Sequence, residues 1–225
     1  MEVLGASAVL ALVAVGLGVY WFVIPSDAKA KASITLTAVR VQGPLDGTWS
    51  VIAGIGTNSA STSWVGYRVG ERVAGLHRTD VGRSTAVTGT ARVQGATVSA
   101  ISVVADESKL TTDSAPRDAS VRRILDTASH PDAIFISTSP IRVAEIPSAG
   151  TIVRLSVTGR LTLHGVTRVV TVPLQARWDG SHIEVAGELQ IVLADYSIRI
   201  PAIAGLVKAD GHGSMEFQLF LGRRP

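Results

Sequence analysis

The sequence predicts an all-β fold, an eight-stranded antiparallel barrel with one short helix covering an end, preceded by a single N-terminal transmembrane helix. Three observations predict it. Residues 151–168 alternate without a break: Val153, Leu155, Val157, Gly159, Leu161 and Leu163 are apolar or small, while Arg154, Ser156, Thr158, Arg160, Thr162 and His164 are polar. That is the period of a strand with one buried face. Two more alternating runs of comparable length follow after short turns, and strands that exceed the usual five or six residues suit a barrel. Finally, Val3 to Ile24 is a 22-residue run without charge, which at about 1.5 Å per residue is long enough to cross a hydrocarbon core of about 30 Å.

Taken in order, residues 1–25 form the expected anchor, closed by Pro25 and carrying Tyr20-Trp21-Phe22 at its C-terminal edge, as an interfacial aromatic belt would. A cleaved signal peptide is the rival reading, with Ala28-Lys29-Ala30 as the small-residue site. The apolar run is longer than an h-region, however, and no basic segment precedes it. Residues 26–44 mix Ala, Lys, Ser and Thr and end in Gly43-Pro44, the composition of a linker; Ile34 to Val41 could also dock as an irregular strand. Residues 45–225 form the barrel domain.

Its strands are expected at Thr48–Ile52, Ser63–Val69, Thr85–Val93 and Ala96–Ala105, with Gln94-Gly95 as a tight turn between the last two. A helix is expected from Ala115 to Ala128. Pro116 stands in its first turn and Val121, Ile124, Leu125 and Ala128 form its apolar stripe, which leaves Arg117, Arg122 and Arg123 outward or at the rim. A strand from Ala133 to Ile141 leads into the 151–163 strand. His164-Gly165 then supplies a positive-φ turn, and Val170, Val172, Leu174, Ala176 and Trp178 form the next apolar face. Asp179-Gly180 turns the chain again into Ile183, Val185, Leu189, Ile191 and Leu193. A last strand, Ser214–Leu221, pairs with an early one and removes the open edge.

The composition excludes several functions. With no cysteine among 225 residues, disulfides, thiol nucleophiles and Cys-ligated metals are absent. Beyond the anchor the net charge is +4, scattered singly, whereas a nucleic-acid binder clusters its basic residues on one face. The five histidines show neither H-x-x-x-H nor H-E-x-x-H spacing, so no metal site is expected. No nucleophile elbow or P-loop occurs. No catalytic residue and no cofactor is therefore expected, and the chain is not read as an enzyme. Of four Phe one lies in the anchor, so Val, Leu and Ile must line the interior. An eight-stranded barrel of that kind is either packed solid or holds one small ligand.

The run Gly159-Arg160-Leu161-Thr162-Leu163-His164-Gly165-Val166-Thr167-Arg168-Val169-Val170 resembles the hairpin signature of the YceI-like family. Gly47-Thr48-Trp49, Ser63 to Val69, Arg117-Asp118 followed by Arg122, the segment His130 to Phe135 and Asp195-Tyr196-Ser197-Ile198 are similar to other family segments, so the resemblance runs from about Leu45 to Leu221. It departs where the family carries His after Arg-Asp and this chain has Ala119-Ser120-Val121.

The resemblance implies a lipocalin-like barrel that holds a polyisoprenoid or similar long-chain lipid. Its lining is then expected to include Tyr67, Leu125, Phe135, Leu155, Leu161, Val172, Leu189, Ile191 and Phe217, with Arg117, Arg122, His164 and Arg168 near a head group at the mouth. Lys29 and Lys31 follow the anchor and Glu2 precedes it, which the positive-inside rule reads as a cytoplasmic barrel; the resemblance implies the extracytoplasmic side, the expectation adopted. The expected partners are that lipid, the membrane through the N-terminal helix and, as an open alternative, a second copy in a homodimer; nucleic acid is not among them. Two other functions compete: a ligand-free barrel acting as an interaction module of a membrane complex, and a hydrolase of envelope lipids.

Overall fold

The computed structural model describes residues 28–35, 43–73, 76–201 and 207–223. The expected anchor lies outside them, as does most of the Ile34–Val41 run. No helix among the described residues is long and apolar enough to cross a membrane.

Eleven strands form one sheet: β1 (Gly47–Ile52), β2 (Trp64–Val73), β3 (Leu76–Ser84), β4 (Val87–Gln94), β5 (Thr97–Asp106), β6 (Asp132–Ser137), β7 (Ile141–Arg142), β8 (Ile152–Leu163), β9 (Val166–Trp178), β10 (His182–Val192) and β11 (Val207–Arg223). Among the described residues the α-helix is α1 (Ala115–Ile124). Strands β1, β4, β5, β6, β8, β9, β10 and β11 pair in that order, and β11 pairs back onto β1 from Trp49 with Arg223 to Ile52 with Phe220. The expected closed eight-stranded antiparallel barrel is thus present. Strand β11 is long enough to pair with β1 near its C-terminus and with β2 from Val207 to Gln218. Hairpin β2–β3 consequently projects past the ring at the end where α1 sits, called here the helix end.

The turns follow the sequence closely. Leu163 pairs with Val166, and the two residues between them, His164 and Gly165, have φ of 50° and 74°, the left-handed pair that a two-residue hairpin of matching twist requires. A Cβ on Gly165 would also come within 2.6 Å of the His130 ring. Gly95 takes φ 55° between Gln94 and Thr97. This turn and the Asp179-Gly180 turn mark the opposite, far end of the barrel.

Four elements differ from expectation. The helix stops at Ile124, because Asp126 adopts φ 46° and the N–H groups of Asp126 and Thr127 bond back to the carbonyls of Arg123 and Arg122, a Schellman-type ending. The expected 133–141 strand splits into β6 and β7 around Pro140, which has no N–H to give a ladder. Strand β3 was not anticipated, since Leu76–Ser84 is mostly polar. Strand β11 starts earlier than Ser214 and shifts register between Ala209 and Gly213.

The outer face of β10 and β11 is not the solvated surface that alternation suggests. Glu184, Glu216, Gln218 and Phe220 all point outward yet are buried. Residues 28–35 lie over Glu184 and beside the Arg68–Glu216 pair, while the Gln218 amide donates to the Ala60 carbonyl. Thr35 gives its N–H (2.9 and 2.8 Å) and its Oγ1 (2.8 Å) to the Glu184 carboxylate, and Lys31 Nζ lies 2.9 Å from Glu188. Arg68, paired with Glu216 at 2.5 Å, also donates to the Lys29 carbonyl. Lys29 Nζ reaches the Thr111 carbonyl at 3.4 Å, beside α1, whereas the Gly43 N–H bonds the Gly180 carbonyl at the far end. The stretch expected as a spacer therefore begins as a strap that enters at the helix end, and the chain is at the far end by Gly43.

Candidate ligand-binding cavity

Inward alternation leaves the barrel hollow. One cavity of about 220 Å³ occupies the middle and the far end, and a second of about 290 Å³ lies under α1 at the helix end. Both are lined by Val65, Ala105, Ala133 and Met215, so they meet there. Each approaches, and together they fall within, the roughly 300–1,000 Å³ of small-molecule sites.

The space stays open for identifiable reasons. Ala105 and Ala133 are register partners in β5 and β6, so their side of the waist carries methyl groups only. The two lumen phenylalanines lie against the wall over glycines of the neighbouring strands: a Cβ on Gly159 would come within 2.4 Å of Phe135 Cζ, and one on Gly187 within 2.4 Å of Phe217 Cζ. The rings thus add apolar area without filling the centre. Around the far-end cavity the side chains with polar groups are Thr90, Thr151, Arg177 and Trp178; the remaining lining is aliphatic or aromatic, contact without directional demand.

The cavity at the helix end has a polar margin. The Tyr67 hydroxyl donates to Asp80 Oδ2 at 2.6 Å, and Asp80 Oδ1 lies 3.6 Å from Arg117 Nε. Arg117 also bonds Asp113. Burial, followed by the Asp80 charge, pushes the Tyr67 phenol well up, and burial raises the Asp80 and Glu71 carboxyls. Glu107 lines the same cavity from a short 3₁₀ turn, 6 % exposed, and its Oε2 has no hydrogen-bond partner. Burial, with a smaller contribution from the Asp132 charge, raises this carboxyl to about 8. The backbone fixes its place, since the Glu107 N–H donates to the Pro131 carbonyl and its own carbonyl accepts from Leu110.

The sequence-derived residues divide among three places. Phe135, Leu155, Leu161, Val172, Leu189 and Phe217 line the far-end cavity; Tyr67, Leu125, Ile191 and Arg117 line the helix-end one. Arg122, His164 and Arg168 line neither: they bond the carbonyls of Leu110, Tyr196 and Asp195 respectively. Arg117, expected outward or at the rim, is buried, because Asp80 and Asp113 supply its counter-charges. Sequence reasoning missed Ala105, Ala133 and Met215 at the waist and Glu107 in the lining. The alanines sit at alternating inward positions and were legible as small, but nothing marks an Asp-Glu-Ser strand end as turned inward.

Residues 57–219 match the YceI-like domain. The chain is 30 % identical over 122 residues to a UPF0312 protein of Vibrio campbellii, a match covering 51 % of this chain and 61 % of that one, and a UPF0312 protein of Vibrio parahaemolyticus matches to the same extent. The match thus spans about three-fifths of the length of those relatives. Among solved structures, a polyisoprenoid binding domain from Saccharophagus degradans superposes with a TM-score of 0.62 at 20 % identity, over 78 % of this chain and 98 % of that one. Burkholderia cenocepacia BcnA gives 0.52 at 19 % identity over 68 % and 95 %, and a Campylobacter jejuni YceI protein 0.51 at 14 % over 64 % and 85 %. The structural likenesses share the barrel; the domain match extends over well more than half of the sequence, and on it the chain belongs to the YceI-like family.

Proposed function

We propose that the barrel holds a long-chain amphiphile, a polyisoprenoid or similar lipid, in its lumen, breaks no bond, and is kept at the membrane by residues 1–25 with the barrel on the extracytoplasmic side. The observation that carries the binding reading is the pair of cavities meeting at a waist of Val65, Ala105, Ala133 and Met215. A ligand-free interaction module would need no such space. The S. degradans neighbour, described as a polyisoprenoid binding domain, supports the class of ligand. The two lysines that argued for a cytoplasmic barrel are engaged by the barrel itself, Lys29 with Thr111 and Lys31 with Glu188, which weakens them as a topology signal.

Each methylene buried contributes about 0.8 kcal/mol before ordering costs, so a chain long enough to cross the waist binds far better than one confined to either cavity. The test uses residues 28–225 stripped of lipid and refolded. Long isoprenoid chains should raise the melting midpoint by several degrees, the equivalent of about 2.7 kcal/mol at a hundredfold excess over Kd. Ala133→Leu narrows the waist and should abolish the response to long chains while sparing the response to short ones. Equal responses of the variant and the natural sequence to both lengths would sink the through-lumen reading.

A further inference from the structure

We infer that the helix end of the barrel is a membrane-docking surface, held against the bilayer by the strap, so that the cavity under α1 is the one placed next to lipid. This rests on the anchor reading above. The warrant is the path of the chain. The uncharged run ends at Ile24, and the described chain resumes at Ala28; four Cα–Cα steps span at most about 14 Å. At Lys29 the strap is already fixed beside α1, through the Thr111 carbonyl and through Arg68 and Arg83, which bond the carbonyls of Lys29 and Ala30. It then runs antiparallel to β10, with Lys31 at Glu188 and Thr35 at Glu184. Gly43, where the described chain continues, is at the far end, bonded to the Gly180 carbonyl. Strand β10 has 11 residues, and a strand of that length tilted as in an eight-stranded barrel separates the two ends by roughly 25 Å. An anchor joined at residue 28 therefore cannot hold the far end at the bilayer without peeling the strap from the buried Glu184 carboxylate, from Glu188 and from the Arg68 and Arg83 guanidinium groups.

The surface at the helix end suits a lipid partner. Leu76 at the tip of β2–β3, Val169 and Val192 are 64, 69 and 50 % exposed. Around them Arg72, His77, Arg123, Arg168 and Arg199 are exposed, against the exposed acids Asp113, Asp195 and Asp210. Apolar side chains set among basic ones fit an anionic interface.

Because the chain has no cysteine, single-cysteine variants of the full chain carry one fluorophore each without background. Ala119→Cys and Leu76→Cys report the helix end; Gln94→Cys and Ile146→Cys, also exposed, report the far end. Each is reconstituted into phosphatidylcholine–phosphatidylglycerol vesicles containing lipids spin-labelled at the head group or high on the acyl chain. Several-fold stronger quenching at both helix-end sites than at both far-end sites is expected. Equal quenching, or stronger quenching at the far end, in protein that floats with the vesicles overturns the docking inference and leaves the anchor standing. Failure of the full chain to float overturns the anchor reading and the inference together.

Discussion

Glu107→Gln isolates a lining carboxyl that burial holds neutral near pH 7. In the fold its pKa stands at about 8 against the ordinary 4.5, so between those values the folded state binds a proton that the unfolded chain has released. Stability then falls as pH rises through this window and is fully present below it. A tenfold difference in proton affinity between the folded and unfolded states is worth about 1.4 kcal/mol, so the loss from pH 4.5 to 8 is on the order of 4–5 kcal/mol for a group this buried. Glutamine keeps the volume and removes the titration. Urea unfolding of residues 28–225 from pH 5 to 8.5 should show a declining free energy for the natural sequence and a much flatter profile for the variant. Asp80 and Glu71 are raised by burial in the same direction and leave a residual slope in both proteins, so the difference between the two profiles is the quantity that reports Glu107. Parallel profiles would refute the claim that this carboxyl is buried without a charge partner.

Two further outcomes concern the backbone and the strap. Gly165→Val places a β-branched residue at φ 74° and against the His130 ring, and should cost at least about 1 kcal/mol in a thermal melt. Thr35→Ala keeps the N–H and removes the Oγ1 donor to Glu184, which should cost about 1–2 kcal/mol in urea unfolding, while Thr35→Pro removes both donors and should cost more.

The parts of the fold legible in the sequence are those where one face of a strand is buried and the other wet. Strands β8 and β9 meet that condition, and the Leu163–Val166 pairing and the left-handed His164-Gly165 turn follow from it. Strand β3 does not: its register with β2 is regular from Val65–Ser84 to Val73–Leu76, but it lies outside the closed ring, so few of its residues had to be apolar. The same condition explains the lining. Leu155, Leu161, Val172 and Phe217 could be chosen because the lumen imposes period two, whereas the waist alanines matter through what they leave unfilled, and a pattern of hydrophobicity does not register missing volume.

The outer face of β10 and β11 resisted reading for the opposite reason. Glu184 and Glu216 occupy the outward positions that a half-wet strand gives to charge, and the alternation is correct about their direction. It is silent about a cover. A carboxylate taken out of water needs donors to offset its lost hydration; for Glu184 they include the N–H and hydroxyl of Thr35, for Glu216 the guanidinium of Arg68. Thr35 comes from a segment whose composition reads as a spacer, some 150 residues away in sequence. The acids thus make the strap stick at defined points, so that on the anchor proposed above the bonded strap, and no sequence motif, would set which end of the barrel faces the bilayer.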